Sequence, residues 1–286
     1  MTSRVLPWYF RAAKRQLLAD GRGGWRALEA MDAMGLLRKA RPVPFFSDTE
    51  LLVPLDWRWF WQYERLSEYE PNTLRSFAEA VRRVAKAKAI FIDCGAHIGL
   101  VSHYVQHECR VVERGWAFEP NPERFRVLKQ NCIRMPYPTI ASQSALSDFT
   151  GQARLTIPAG DDDGAYIVPD PSGPIAVTRV DDLGIPAERG VVMKIDVEGA
   201  ELPILRGATN ALCAAPYFVV LFEAHREVQR RTGVDPMECV RHLNTLRPCQ
   251  WSLSGDLGSR LDLDRPFFEQ VTDHVKRDVI VWSLPG

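Results

Sequence analysis

Four carboxylates close short apolar runs in this chain: Asp93 after residues 90–92, Glu119 after 116–118, Asp196 at the end of 191–196 and Glu223 after 219–222. Nearly continuous apolar stretches of this length suggest strands buried on both faces of a parallel sheet. The carboxyl edge of such a sheet holds its ligand where strand order reverses. The spacing therefore predicts a nucleotide-like ligand site rimmed by acidic side chains.

The turn after the first run, Asp93-Cys94-Gly95-Ala96-His97-Ile98-Gly99, sets two glycines four apart between a strand and a helix. Glycine allows a tight turn and close backbone approach, and the helix start supplies N–H groups. A dinucleotide fingerprint would have a third glycine and a phosphate loop a lysine; neither is here, which argues against a diphosphate. Glu119 is placed to accept hydrogen bonds from both ribose hydroxyls of an adenosine-type ligand, the alternative being a capping acid before Asn121-Pro122. In residues 194–201, Lys-Ile-Asp-Val-Glu-Gly-Ala-Glu, strand alternation puts Lys194, Asp196 and Glu198 on one face. Three ionisable groups on one face must pair or look into the ligand crevice. A structural salt bridge suits Lys194, and Glu201 suits a helix start.

Positioning these groups requires alternating strands and helices from about residue 90 onward. Helices are expected over 74–87, 99–107, 122–132 and 234–246, and strands over 139–144 and 278–283. An antiparallel excursion is expected over 153–157 and 175–180, around a mobile loop beginning at Asp161-Asp162-Asp163-Gly164. Residues 1–75 form a helical and aromatic extension and 76–286 the main domain. The extension, a lid or a substrate or oligomer element, holds two or three helices broken at 21–24, a short edge strand over 51–55 and the cluster Trp57, Trp59, Phe60 and Trp61, read as packing on the main domain with the lining of an acceptor pocket as the alternative.

Lys+Arg and Asp+Glu both total 36, so no charge excess points to nucleic acid. Six cysteines without a C-x-x-C pair fit a reduced, cytoplasmic compartment, and no run suits a signal peptide or membrane span. The basic N-terminus, with Arg4, Arg11, Lys14, Arg15, Arg38 and Lys39, reads as a solvated appendage, with docking to an anionic membrane or acidic partner as the alternative. His103 and His107 are four apart without an acid between them and read as a packed or solvated helix face.

In order, DCGAHIG, FEPNP, SALSD, VTRVDDL, KIDVEGAEL and FEAH resemble the FkbM family of class I methyltransferases over about residues 90–226, with a weaker echo at Tyr69-Glu70-Pro71. The resemblance implies an α/β, Rossmann-like sheet of seven mostly parallel strands, the last antiparallel, flanked by helices. It also implies S-adenosylmethionine (SAM) as cofactor, S-adenosylhomocysteine as product, and methylation of a hydroxyl on a small molecule, often a sugar or polyketide-type product. Carried over, Asp93, Gly95, Ala96 and Gly99 surround the methionine part, with His97 in the same turn. Glu119 meets the ribose, Ser144 and Ala145 lie near adenine, and Asp196, Glu198 and His225 lie near the transferred methyl. His97 stands where the family more often has a small polar residue, and Arg179 interrupts a usually apolar segment.

On this reading Asp196 or His225 acts as general base, with Glu198 positioning acceptor or cofactor and Glu223 orienting His225. No resident metal is expected, although Asp196, Glu198, Glu223 and His225 offer suitable donors for a metal-assisted rival route. An NAD-type oxidoreductase and a non-catalytic SAM-binding scaffold are the alternatives of other classes. Homo-oligomerisation through the aromatic extension is left open.

Overall fold

The described N-terminal elements pack on one another before the main sheet begins. Helices α1 (Trp8–Asp20) and α2 (Arg22–Ala33) lead to a hairpin of β1 (Arg41–Pro44) and β2 (Glu50–Val53), then to two single turns of tight helix at Arg58–Gln62 and Leu66–Glu68. The computed structural model describes residues 8–20, 22–37, 40–46, 49–55, 57–63, 65–158, 164–272 and 276–284. The expected break at 21–24 is narrower than read, because α2 carries Gly23 and Gly24 within it; residue 21 lies outside the described residues, as do Arg4, Arg38 and Lys39. Among the described residues, the strand expected near 51–55 pairs only with β1 and belongs to no larger sheet.

Next come α3 (Pro71–Val84), β3 (Ala89–Cys94), α4 (Leu100–Glu108), β4 (Val112–Phe118), α5 (Pro122–Cys132) and β5 (Thr139–Ser142). Asn121 starts α5 by accepting from the Glu123 and Arg124 amides, and Pro122 fits the first turn, where no N–H is needed. The single strand expected over 139–144 is two: after Ser142 the chain leaves the main sheet and β6 (Ser144–Leu146) joins another. Ser144, Ala145 and Leu146 are all buried, Ala145 in a small core with Ala153, Ile175 and Val177, and Leu146 in the larger core beneath the main sheet.

That second sheet has four strands: β6, β7 (Gly151–Thr156), β8 (Tyr166–Pro169) and β9 (Ile175–Thr178) in the order β6-β9-β7-β8, with β7 antiparallel to both neighbours. The expected excursion is there but larger than read, because residues 166–169 of the expected loop form β8 and β6 pairs with β9 in parallel. Residues 161–163 of the expected loop lie outside the described residues. The chain then returns through β10 (Gly190–Ile195), α6 (Glu201–Arg206), α7 (Thr209–Ala214), β11 (Phe218–His225), α8 (Arg226–Thr232), α9 (Met237–Leu246), β12 (Cys249–Leu253), α10 (Phe267–Gln270) and β13 (Lys276–Ser283).

The main sheet runs β12-β13-β11-β10-β3-β4-β5, parallel except for β13, as expected for the seven-stranded class I arrangement. From β3 the chain moves outward through β4 and β5, then returns to β10 on the other side, so strand order reverses between β3 and β10. Alternate strand residues feed two cores. Phe91, Val192, Val219 and Ile280 pack with α3 and α4, whereas Ile90, Met193, Val220 and Val279 pack with α6, α7 and α9.

The first of these cores is continuous with the N-terminal region, from Ala13 and Leu17 through Leu55 and Trp61 to Ile280 and Trp282. Lys14, one of the basic N-terminal residues, is buried with its ammonium 3.7 Å from the centre of the Phe60 ring. A buried amide also joins this region to the turn of β3. Asn131 Oδ1 accepts from the Leu52 amide at 2.8 Å, while its Nδ2 donates to the Leu52 and Ile98 carbonyls at 3.0 and 2.8 Å. No described helix is long and apolar enough to cross a membrane.

Candidate active site

The strand ends around the reversal open onto a cavity of about 380 Å³, within the size range of small-molecule sites. Gly95, Ala96, His97, Glu119, Ser144, Ala145, Asp196, Glu198, Glu223 and His225 all line it. Two of the expected binding residues do not.

Asp93 is fully buried beneath the cavity. Its Oδ2 accepts from the Ser102 amide at 3.1 Å and hydroxyl at 2.6 Å, which caps α4. Its Oδ1 lies 3.7 Å from Lys194 Nζ. Lys194 also donates to the Gly95 carbonyl at 2.6 Å and lies 3.3 Å from Asp196 Oδ2. Burial alone would discharge this ammonium, but Asp196 and Asp93 outweigh it and hold its pKa above the ordinary value. Asp93 thus anchors the two central strands rather than facing the cavity, and Lys194 is the salt-bridge residue the sequence suggested. Removing one member of a buried ion pair costs about 3–5 kcal/mol. Because Lys194 retains Asp196 as a partner, Asp93→Ala is expected at the lower end of that range, measured by urea unfolding.

Gly99 sits at φ +85° at the start of α4, and an added Cβ would lie 2.9 Å from Leu128 Cδ1. Its freedom serves packing against α5. His97, also left-handed at φ +50°, lies with its ring 5.0 Å from that of Trp57, and burial lowers its pKa to about 3, with Arg124 and Lys194 adding to the shift. It is a neutral packed ring on the cavity wall.

Glu119 accepts from the His97 amide through one oxygen and the Asn121 amide through the other, each at 2.8 Å. It therefore also makes the bond to Asn121 expected of a capping acid. An ionised carboxylate has about four acceptor positions, which leaves capacity for two ligand hydroxyls. Burial raises its pKa to about 7 despite the two amide donors.

Beyond Ile195 the chain turns sharply, with Glu198 at φ +55° and Gly199 at φ +112°. Glu201 is buried in the first turn of α6, accepts from the Gly199 amide at 3.0 Å, and has its pKa raised by burial to about 7. Glu198 Oε2 lies 3.9 Å from His225 Nδ1. Glu198, Glu223 and His225 each bring a potential ligand atom within 4.8 Å of the others. The geometry thus draws together the expected methyl-side residues Asp196, Glu198 and His225, with Glu198 as well as Glu223 beside the imidazole.

Several further residues line the cavity. Trp57, Tyr69 and Glu70 form a wall from the N-terminal region, and Tyr166 and Ile167 come from the second sheet. Arg231 holds the carbonyl of Glu198 and lies with its guanidinium 4.1 Å from the Tyr166 ring centre, linking α8, the Glu198 turn and β8. The alternative reading of the Trp57 cluster as a pocket wall and the Tyr69-Glu70-Pro71 echo pointed toward the N-terminal part of this wall. His103 and His107 stack with ring centres 4.6 Å apart, His103 buried against Phe45, as a packed helix face would be.

Residues 93–250 match the family model described as the methyltransferase FkbM domain. The chain belongs to the FkbM methyltransferase family. A further similarity is to the hexuronic acid methyltransferase AglP of Haloferax volcanii, 30% identical over 164 residues, which cover 56% of this FkbM-family chain and 63% of AglP. Among solved structures, the methyltransferase FkbM of Methylobacillus flagellatus KT aligns with TM-score 0.45 and 18% identity, covering 76% of this chain and 51% of that one. A precorrin-6y C5,15-methyltransferase of Geobacter metallireducens GS-15 aligns with TM-score 0.39 and 14% identity, covering 74% and 88%. The FkbM-family chain thus spans 63% of AglP and about half, 51%, of the FkbM structure.

Proposed function

We propose that this FkbM-family protein transfers the methyl group of SAM to a hydroxyl of a small molecule such as a sugar. The observation that carries the reading is the single cavity shared by Glu119 at the end of β4, the turn at 95–97, and the Asp196, Glu198 and His225 cluster. The residues fit the cofactor: Glu119 has spare acceptor positions for ribose hydroxyls, and Ser144 and Ala145 offer a small-residue surface for adenine. Asp196 and Glu198 suit a neighbouring positive charge. Bound SAM supplies a methyl group activated by its sulfonium.

The protein's own contribution is placement and proton removal. Positioning of reactants can supply about 7–11 kcal/mol. His225 takes the proton of the acceptor hydroxyl, Glu198 and Glu223 orient its ring, and Asp196, already paired with Lys194, acts mainly through its charge. Residues 1–75 serve as an acceptor wall, since they contribute Trp57, Tyr69 and Glu70. The free thiols suit a reducing compartment such as the cytoplasm.

Calorimetric titration with SAM and NAD, followed by detection of S-adenosylhomocysteine with hydroxylated acceptors, tests the reading. Tight binding of NAD but not SAM would favour the oxidoreductase, and SAM binding without turnover on any acceptor the scaffold. Ionised Glu119 is the form that accepts ribose hydroxyls, and its pKa before binding is about 7. SAM affinity should therefore fall as pH drops through 7, by up to about tenfold per pH unit for a single linked proton. Glu119→Gln should remove that step, as calorimetry between pH 5.5 and 8.5 would read.

A second reading has one observation in its favour, the convergence of Glu198, Glu223 and His225. A divalent cation there would bind the acceptor oxygen and lower its pKa. Full turnover after exhaustive chelation excludes this route; loss restored by magnesium or manganese supports it.

A further inference from the structure

Helix α8 brackets the methyl side of the cavity. It starts directly after His225, and near its far end Arg231 donates to the carbonyl of Glu198, so one short helix follows the imidazole and holds the turn that bears the neighbouring carboxylate. The far end is itself secured. Thr232 Oγ1 donates to the Val228 carbonyl at 2.8 Å, the Gly233 amide to the Gln229 carbonyl at 2.8 Å, and Gln229 Nε2 to Asp235 Oδ2 at 3.2 Å. Helix geometry thus fixes the separation of His225 and Arg231.

The turn needs such a hold. Glu198 is left-handed at φ +55°, a conformation disfavoured for a residue with a Cβ, and a residue of this kind persists where its surroundings dictate it. Gly199 follows at φ +112° and lies tight against α8: a Cβ there would come within 2.9 Å of Thr232 Cγ2 and 3.3 Å of Val228 Cγ1. The peptide after Glu198 is gripped from α8, and its direction helps set where the carboxylate goes, 3.9 Å from His225 Nδ1.

Arg231 has a second partner. Its guanidinium carbon lies 4.1 Å from the centre of the Tyr166 ring, and Tyr166 lines the cavity from β8. A planar guanidinium can meet a ring while an N–H at its edge reaches a carbonyl, a double contact for which a compact ammonium is poorly shaped. Arg231 itself is not among the described residues that line the cavity, so it acts on the site through Glu198 and Tyr166.

We propose that Arg231 is a positioning residue that sets Glu198 beside His225 and ties their spacing to the Tyr166 wall, so that the second sheet and the proton-accepting pair form one unit. This deepens the methyltransferase reading, on which its catalytic meaning rests. Its effect falls on alignment for proton removal and leaves cofactor binding alone.

The test is magnetic resonance at one pH on the full chain, with isotope-labelled histidine and saturating S-adenosylhomocysteine. The influence of Glu198 is read as the change in the His225 ring nitrogen shifts between the chain and its Glu198→Gln variant. That change should shrink to about half or less in an Arg231→Met background, and likewise in Arg231→Lys, which keeps the charge and loses the fork. Tyr166→Leu should shrink it in the parent chain and add little once Arg231 is replaced, as expected of residues that act together. Calorimetry should find S-adenosylhomocysteine affinity within about twofold of the parent in both Arg231 variants. Arg231 is exposed, so these variants leave the core intact. No influence of Glu198 in the parent chain, or an undiminished one in Arg231→Met, overturns the positioning role. An undiminished one in Arg231→Lys reduces Arg231 to a charge and overturns the double hold, and a large loss of S-adenosylhomocysteine affinity overturns the separation from cofactor binding. Failure of the parent chain to bind S-adenosylhomocysteine overturns the methyltransferase reading instead, and the same shifts in the unliganded chain then decide the role of Arg231.

Discussion

His225→Ala is expected to lower kcat about 10²- to 10⁴-fold, the usual contribution of a positioned general base. An alcohol is a weak nucleophile near neutrality, so the proton must leave as the new bond forms. On the proposed reading, two groups compete for that task. Asp196 is already ion-paired with the Lys194 ammonium at 3.3 Å, and 39% of its side chain is exposed. His225 ends β11 at the cavity with Glu198 3.9 Å from its Nδ1, so a carboxylate lies beside the ring that takes up the proton in the proposed reaction. Asp196→Asn should therefore cost less in kcat than His225→Ala. Rapid-quench assays at saturating SAM separate the chemical step from product release. A smaller loss for His225→Ala than for Asp196→Asn would reverse the assignment.

The second large effect is on stability. Gly95 lies at φ +73°, and a Cβ there would collide with the backbone oxygen of Asp196 on the adjoining strand end. The two tips cannot separate freely, because the Asp196 amide donates to the Cys94 carbonyl at 3.1 Å and Lys194 donates to the Gly95 carbonyl at 2.6 Å. The left-handed backbone costs a non-glycine residue about 1–2 kcal/mol, and overpacking a tight interior typically adds about 1–3 kcal/mol. Gly95→Ala should thus lose roughly 2–5 kcal/mol in chemical denaturation. Gly184→Ala is the control: φ is +66°, but nothing lies within 4 Å of the added carbon. It should show the backbone cost alone. Equal losses for both variants would mean that the Asp196 contact carries no weight.

Much of this architecture was readable from local pattern. The acid-ended runs became β3, β4, β10 and β11, since strands buried on both faces need apolar residues at nearly every position. Asn121 and Pro122 placed the start of α5 because capping chemistry is local. Other features depended on partners distant in sequence. Nothing around Ser142 announces that the next strand joins a different sheet. Asp93 has the spacing of a cofactor ligand, yet Ser102 and Lys194 claim it, and the Lys194 contact spans a hundred positions. The cavity wall was the least legible part. Trp57 and Trp61 look alike in sequence, but Trp61 donates its Nε1 proton to the Leu55 carbonyl at 2.8 Å inside the core, whereas Trp57 lines the cavity. Only the folded chain distinguishes them.

Asn131 clasps Leu52 and Ile98 at once, and the core beneath the wall is shared with the sheet. The surface that greets an incoming molecule is thereby cast as a rigid mould before anything arrives. Little ordering entropy remains to be spent at docking on that side, so differences among ligands should report fit and charge directly, with small penalties for rearrangement.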